Sequence, residues 1–181
     1  MNYEELNPST REYMLNEYIF EIESGNPYLS KALSPLGLEV FPDLLKVAII
    51  GGTPDTLYES ILDPAYWMAT ESYTTQGVQK ERKRNIPQTA QRLALTEFST
   101  FYVKGLAKKL LDEGITHCEV YRGAIPKWEP GDCAEHEGLI VEIESIYHNH
   151  RKRYWPEPGN KDLLAIPFGP GCHHLIRRIN E

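Results

Sequence analysis

The chain has 181 residues, 41% of them hydrophobic, with three cysteines and a net charge of −7. That length suits one domain, with or without a helical extension. The negative charge argues against a general nucleic-acid binder, three cysteines exclude a dense disulfide framework, and no apolar run is long enough to span a bilayer.

The acidic start Met1-Asn2-Tyr3-Glu4-Glu5 does not resemble a signal peptide, so cytosolic synthesis is expected. Charge divides the chain. Residues 1–80 hold four basic and twelve acidic side chains, and residues 81–181 hold fifteen and fourteen. All six histidines and all three cysteines lie at position 117 or later. Two regions are expected: an acidic helical region over 1–80 and an α+β module over 81–181 that carries the chemistry.

In chain order, Ser9 with Glu12 three residues on has the form of a capping box. Met14, Leu15, Tyr18, Ile19 and Ile22 then share a helical face. Gly25-Asn26-Pro27 stops this helix. Leu38, Phe41, Leu44, Leu45, Ala48 and Ile49 predict a second helix starting near Pro42 and ending at Gly51-Gly52. Thr53-Pro54-Asp55 predicts a third, and Asp63-Pro64 a short segment carrying Tyr66 and Trp67. The acidic residues of this half read as a solvated face, or else as a docking surface for a basic partner. Lys80 to Asn85 reads as a polar, basic linker.

Pro87 to Glu113 predicts the longest helix, with a stripe from Ala90 through Phe98, Phe101, Tyr102 and Leu106 to Leu111, stopped by Gly114. Glu97 falls within that stripe. It either snorkels out or serves as a structural acceptor for the sheet beyond this helix. Periodicity then changes. His117–Arg122 alternates as a strand, with Cys118 packing as a small apolar residue. A loop over Pro126–Gly131 comes next, then a turn at Cys133, and a second strand from Gly138 to Ile143. Residues Ser145 to Gly171 form a long, proline-containing excursion, with Leu163–Ile166 as a candidate short strand. Cys172–Ile179 closes the chain as a last strand. The expected class is α+β: an N-terminal helical region, then a long helix packed on a small antiparallel sheet with a Cys/His cluster.

Two segments carry the candidate chemistry. In Asp132-Cys133-Ala134-Glu135-His136-Glu137-Gly138, Cys133 and His136 sit on one tight turn, able to reach one ion. In Gly171-Cys172-His173-His174, Cys172 and His174 would share a strand face. Together they suggest a structural Zn2+ held by Cys133, His136, Cys172 and His174, with His173 as the second choice for the last position. With four protein ligands no position is open for catalysis. The alternatives are two buried cysteines with hydrogen-bonded histidines, or a Cys133–Cys172 disulfide.

The order of these features resembles the phage Mu protein F-like family, the minor head or head-morphogenesis proteins of tailed bacteriophages. Ala94-Leu95-Thr96-Glu97 is similar to the family's Ala-x-Thr-Glu helix motif, and Glu113-Gly114-Ile115 to its helix end. Asp132–Gly138 resembles the first cysteine turn, and Gly169-Pro170-Gly171-Cys172-His173-His174 the closing segment. His136 and His174 stand where the family has cysteines, and Gly169 where it has a histidine. The likeness covers residues 87–179. It implies a non-enzymatic virion protein of the phage head, present in the host cytoplasm during assembly, that contacts portal or major capsid protein and no membrane. Arg151, Lys152, Arg153, Arg177 and Arg178 are candidates for weak contact with packaged DNA, with a solvated surface as the plainer reading. The competing expectations are a metal-dependent nuclease of the His-Asn-His type, invited by His148-Asn149-His150, and a host interaction protein reusing the same module. The tripeptide alone does not make a nuclease's ββα-metal geometry.

Overall fold

The first helix begins at Pro8 because Asn7 precedes it: the Asn7 side chain accepts the Thr10 N–H at 3.0 Å. Helix α1 (Pro8–Glu23) is therefore capped two residues earlier than the Ser9 box suggests. The computed structural model describes residues 1–125 and 133–179, so the Pro126–Gly131 loop lies outside the described residues.

Helix α2 (Pro35–Gly51) starts a full turn and more before the expected Pro42. Ser34 caps it by accepting the Gly37 N–H at 3.1 Å, and Pro35 occupies the first turn. Pro42 sits inside the helix, where proline is ordinarily disfavoured. The buried face of Gly37, Phe41, Leu45, Ala48 and Ile49 holds it there. Arg11 of α1 closes the other end, donating to the carbonyls of Ala48, Ile49 and Gly52 at 3.2, 2.7 and 2.8 Å. Helix α3 (Pro54–Ser60) opens on a capping box between Thr53 and Thr56, and a single 3-10 turn at Pro64–Tyr66 comes after Asp63.

The expected linker is instead the second strand of a hairpin. Strands β1 (Thr70–Thr75) and β2 (Val78–Lys83) pair antiparallel across Gln76-Gly77, both of which have positive φ. Position 80, the expected regional boundary, falls inside β2. The hairpin escaped sequence reading because nearly all of its residues are exposed, so it lacks the apolar alternation that marks a half-buried strand.

Helix α4 (Ile86–Asp112) is the axis of the molecule. It buries Phe98, Phe101, Tyr102, Leu106 and Leu110 within a single hydrophobic cluster that takes in residues from Met14 to Ile176. Both compositional halves thus share one core. Helix α1 crosses α4 at Gly105, where a Cβ would lie 2.6 Å from the Met14 backbone nitrogen. Gly114, at φ +79°, ends the α4 region as expected.

Strand β3 (His117–Arg122) has the expected bounds and buries Cys118 and Val120. Strand β4 (Ile140–Glu142) is shorter than Gly138–Ile143, because the chain turns into helix α5 (Ile143–His148), burying Ile143 and Ile146. The excursion therefore opens with a helix. Leu163–Ile166 is not a strand. Strand β5 (His174–Arg177) completes an antiparallel sheet in the order β4-β3-β5, with α4 packed on it. The α+β expectation holds. No helix among the described residues is long and apolar enough to cross a membrane.

Candidate functional site

The two Cys/His segments meet at the end of β3. A 3-10 turn spans Cys133–His136 and leads to Gly138, whose φ of +77° lets the chain reverse. The Gly138 N–H donates to the Val120 carbonyl at 2.8 Å, and the Val120 N–H to the Leu139 carbonyl at 2.9 Å. An Arg122–Glu137 ion pair adds to the same junction. From the other side, the Gly123 N–H donates to the His173 carbonyl at 2.8 Å, and Arg122 stands opposite His174 in the ladder.

Cys172 Sγ lies 3.4 Å from His174 Nδ1, and the His174 backbone N–H also points at the sulfur from 3.4 Å. The His136 ring is 5.8 Å from the His174 ring, edge to face. His174 is buried; it, rather than His173, makes the ring contact with His136. Phe168, which sequence reading did not single out, packs beside both: its ring is 4.3 Å from His136 and 5.7 Å from His174. Arg153 covers Phe168 at 5.2 Å.

Of the four expected ligands, Cys172 and His174 are in contact, and the His136 ring faces that of His174. The fourth, Cys133, begins the 3-10 turn, and its side chain lies outside the described residues. A tetrahedral zinc with sulfur at about 2.3 Å and nitrogen at about 2.0 Å sets those atoms roughly 3.5 Å apart, so the Cys172–His174 separation fits. The same separation suits a thiol–imidazole hydrogen bond, from which zinc differs in requiring the thiolate. Among the described residues, no three His, Cys, Asp or Glu side chains stand close enough to hold an ion. A full site therefore needs Cys133 and a closer approach of His136.

The helix motif and the excursion form a second cluster. The Thr96 hydroxyl accepts the Gly171 N–H at 3.1 Å, which docks the closing segment on α4. Glu97 is 1% exposed and does not snorkel. Its two oxygens receive the Arg151 guanidinium at 3.1 and 2.7 Å. Arg151 also donates to both Glu21 oxygens at 3.1 Å and to the Tyr154 hydroxyl at 3.1 Å, and lies between the rings of Tyr28 and Phe101 at 4.9 and 5.2 Å. His150 Nε2 donates to Glu21 at 3.0 Å, since a carboxylate only accepts. Burial raises the Glu21 carboxyl, but Arg151 and His150 outweigh it and bring it down to about 2. Burial, reinforced by Arg151 and Lys104, lowers His150 to about 3 against the opposing pull of Glu21. Burial also pushes the Glu97 carboxyl up against the pull of Arg151. The two-pronged contact with an arginine that stays protonated assigns Glu97 and Arg151 as an ion pair.

Most of the residues that suggested a nuclease or a DNA contact are engaged within the fold, in this cluster or elsewhere. His148 is exposed beside Glu144 at 3.6 Å, Asn149 donates its amide to the Leu164 carbonyl at 3.0 Å, and His150 is buried against Glu21. Arg153 donates to the carbonyls of Leu163 and Phe168. Arg177 pairs with Glu4 and Glu119, and Arg178 with Glu5 and Glu113. Of the five basic candidates, Lys152 is the one whose side chain is exposed without such a contact among the described residues.

Comparison with family models, curated proteins and solved structures found no match to this chain.

Proposed function

We propose that this chain is a structural virion protein of a tailed bacteriophage, a minor head or head-morphogenesis protein acting near the portal or inner capsid, with no catalytic step of its own. The observation that carries the reading is the way the helix motif serves the C-terminal segments. In Ala94-Leu95-Thr96-Glu97, Thr96 receives the backbone of Gly171 and Glu97 clamps Arg151. Residues of the motif that resembles the Mu F-like family are thus spent on holding the module together, which is what a structural module asks of them.

Within this reading, Cys133, His136, Cys172 and His174 would hold a structural Zn2+. When bound, it would contribute folding energy on the order of 10 kcal/mol. The protein's own part is to bring the turn after β3 and the start of β5 side by side. The partners are portal or major capsid protein, met in the host cytoplasm during assembly. Engagement of Arg151, Arg153, Arg177 and Arg178 by carboxylates or carbonyls argues against a DNA-binding role, and the places of His148, Asn149 and His150 argue against the nuclease.

The test is mass spectrometry of purified, nuclease-treated phage particles whose genome encodes this chain. The reading expects the chain in the particles, retained with the portal when the tails are removed. A chain abundant in the lysate and absent from particles and head precursors would overturn it.

A further inference from the structure

The hairpin β1–β2 stands away from the body. Glu71 is its single half-buried residue, and the hairpin's described packing is between its own two strands. An isolated two-stranded hairpin is marginal in water and calls for a cover. The register separates its faces. Thr70, Ser72 and Thr74 pair with Lys83, Glu81 and Gln79 on a wholly polar face. Glu71, Tyr73 and Thr75 pair with Arg82, Lys80 and Val78 on the other. That second face presents Val78, 57% exposed, and Tyr73, with the Arg82 guanidinium 5.2 Å above the Tyr73 ring. It is an apolar strip beside Lys80, with Arg82 tied to Glu71 of the same face at 2.7 Å, so that its net charge is positive.

The body carries its counterpart. The outward face of α2 bears Leu36, Glu39, Asp43, Val47 and Ile50 at helical spacing, opposite the buried stripe of Phe41, Leu45 and Ala48. Val47 is 67% exposed and Ile50 54%. Along this face Glu39 and Asp43 lie between Leu36 and Val47, with Lys46 at the border, so that its net charge is negative. The charges of the two surfaces are opposite and their apolar residues match in kind. Thr70–Arg84 holds four basic and two acidic side chains on a chain whose net charge is −7.

We infer that the Tyr73–Val78 face of the hairpin docks on the outer face of α2 of a second copy of this chain. The contact is head-to-tail: one copy gives its hairpin and offers its helix to the next, so it builds a ring where the rotation closes and a filament where it does not. This interface is independent of the metal and of the virion reading.

The test uses the full chain in sedimentation velocity over the micromolar to millimolar range, at low and high salt. Wild type should associate with increasing concentration, and salt should weaken the association. Two charge-swapped variants, Lys80→Glu and Glu39→Lys/Asp43→Lys, change exposed side chains and leave the Glu71–Arg82 pair of the hairpin intact, and circular dichroism checks their folding. Each alone should self-associate about tenfold more weakly or worse, because like charges then face each other. Mixed in equal amounts, they should regain association, since each supplies the charge that the other lacks. A wild type that stays monomeric throughout overturns the inference. So does a mixture that associates no better than its components. Retention of a monomeric wild type on DNA through Lys80 and Arg82 would likewise overturn it, assigning the hairpin to nucleic acid.

Discussion

Replacing Arg151 by methionine is the sharpest perturbation of this fold. Arg151 joins α1, α4 and the excursion through Glu21, Glu97 and Tyr154. Methionine keeps much of the apolar volume between Tyr28 and Phe101 but leaves the Glu97 carboxylate, 1% exposed, without its cation. Removing one partner of a buried pair destabilises by about 3–5 kcal/mol, mostly through the stranded charge. Urea unfolding followed by tryptophan fluorescence should show a loss of that size at neutral pH. Glu97→Gln removes the charge that would be stranded. In that background the further loss from Arg151→Met should shrink by about 2 kcal/mol or more. The deficit of the single variant should also narrow as pH falls, because protonating Glu97 relieves the unpaired charge. A loss below about 1 kcal/mol, or the same loss in both backgrounds, would refute the claim that this pair staples the excursion to the core.

Acid should loosen the same cluster in the wild type. The folded His150 is held at about 3 by burial, against an ordinary value of about 6.5, so the unfolded chain binds the extra proton between those values. Glu21, brought down to about 2 by Arg151 and His150, contributes stability above its unfolded value that is lost as pH falls toward 2. His150 makes stability fall as pH drops from about 6.5, and Glu21 adds to the fall below about 4.5; a His150→Gln variant should show a flatter profile between pH 6.5 and 3 in chemical denaturation, and an unchanged slope would contradict a neutral, buried His150. Gly105→Ala should destabilise by about 1–3 kcal/mol through overpacking, because its Cβ would meet the Met14 backbone; thermal melts check this, and a neutral result would mean that α1 and α4 separate freely.

The legibility of each element in the sequence tracks its physics. Strand β3 could be read to the residue because its alternation is half-buried and Gly114 punctuates its start. Helix α4 was read because its apolar stripe is long. The early start of α2 was obscured by Pro42, whose local penalty is overridden by a buried face that begins at Gly37. Helix α5 offers only Ile143 and Ile146 as buried apolar positions, too few to show a period. The hairpin gives no burial signal, and its cue was the Gln76-Gly77 turn between Thr- and Tyr-containing residues. At the candidate site, the one-residue spacing of Cys172 and His174 was legible as a shared contact, and His136 reaches the His174 ring. Phe168 carried no signal, because an aromatic on a loop has no motif. A carboxylate in the middle of the α4 stripe called for a partner, expected from the sheet, but nothing in the sequence spacing selected Arg151 of the excursion, 54 positions away.

The central claim, a zinc-stapled structural module, is tested most directly by elemental analysis of the purified protein with a parallel thiol titration. The account predicts near-stoichiometric zinc, lost in Cys133→Ala and Cys172→Ala together with the near-UV signature of packed aromatics, and thiols that react at Cys133 and Cys172 only after chelation. Metal-free protein, folded and with its near-UV signature intact in both alanine variants, would contradict it.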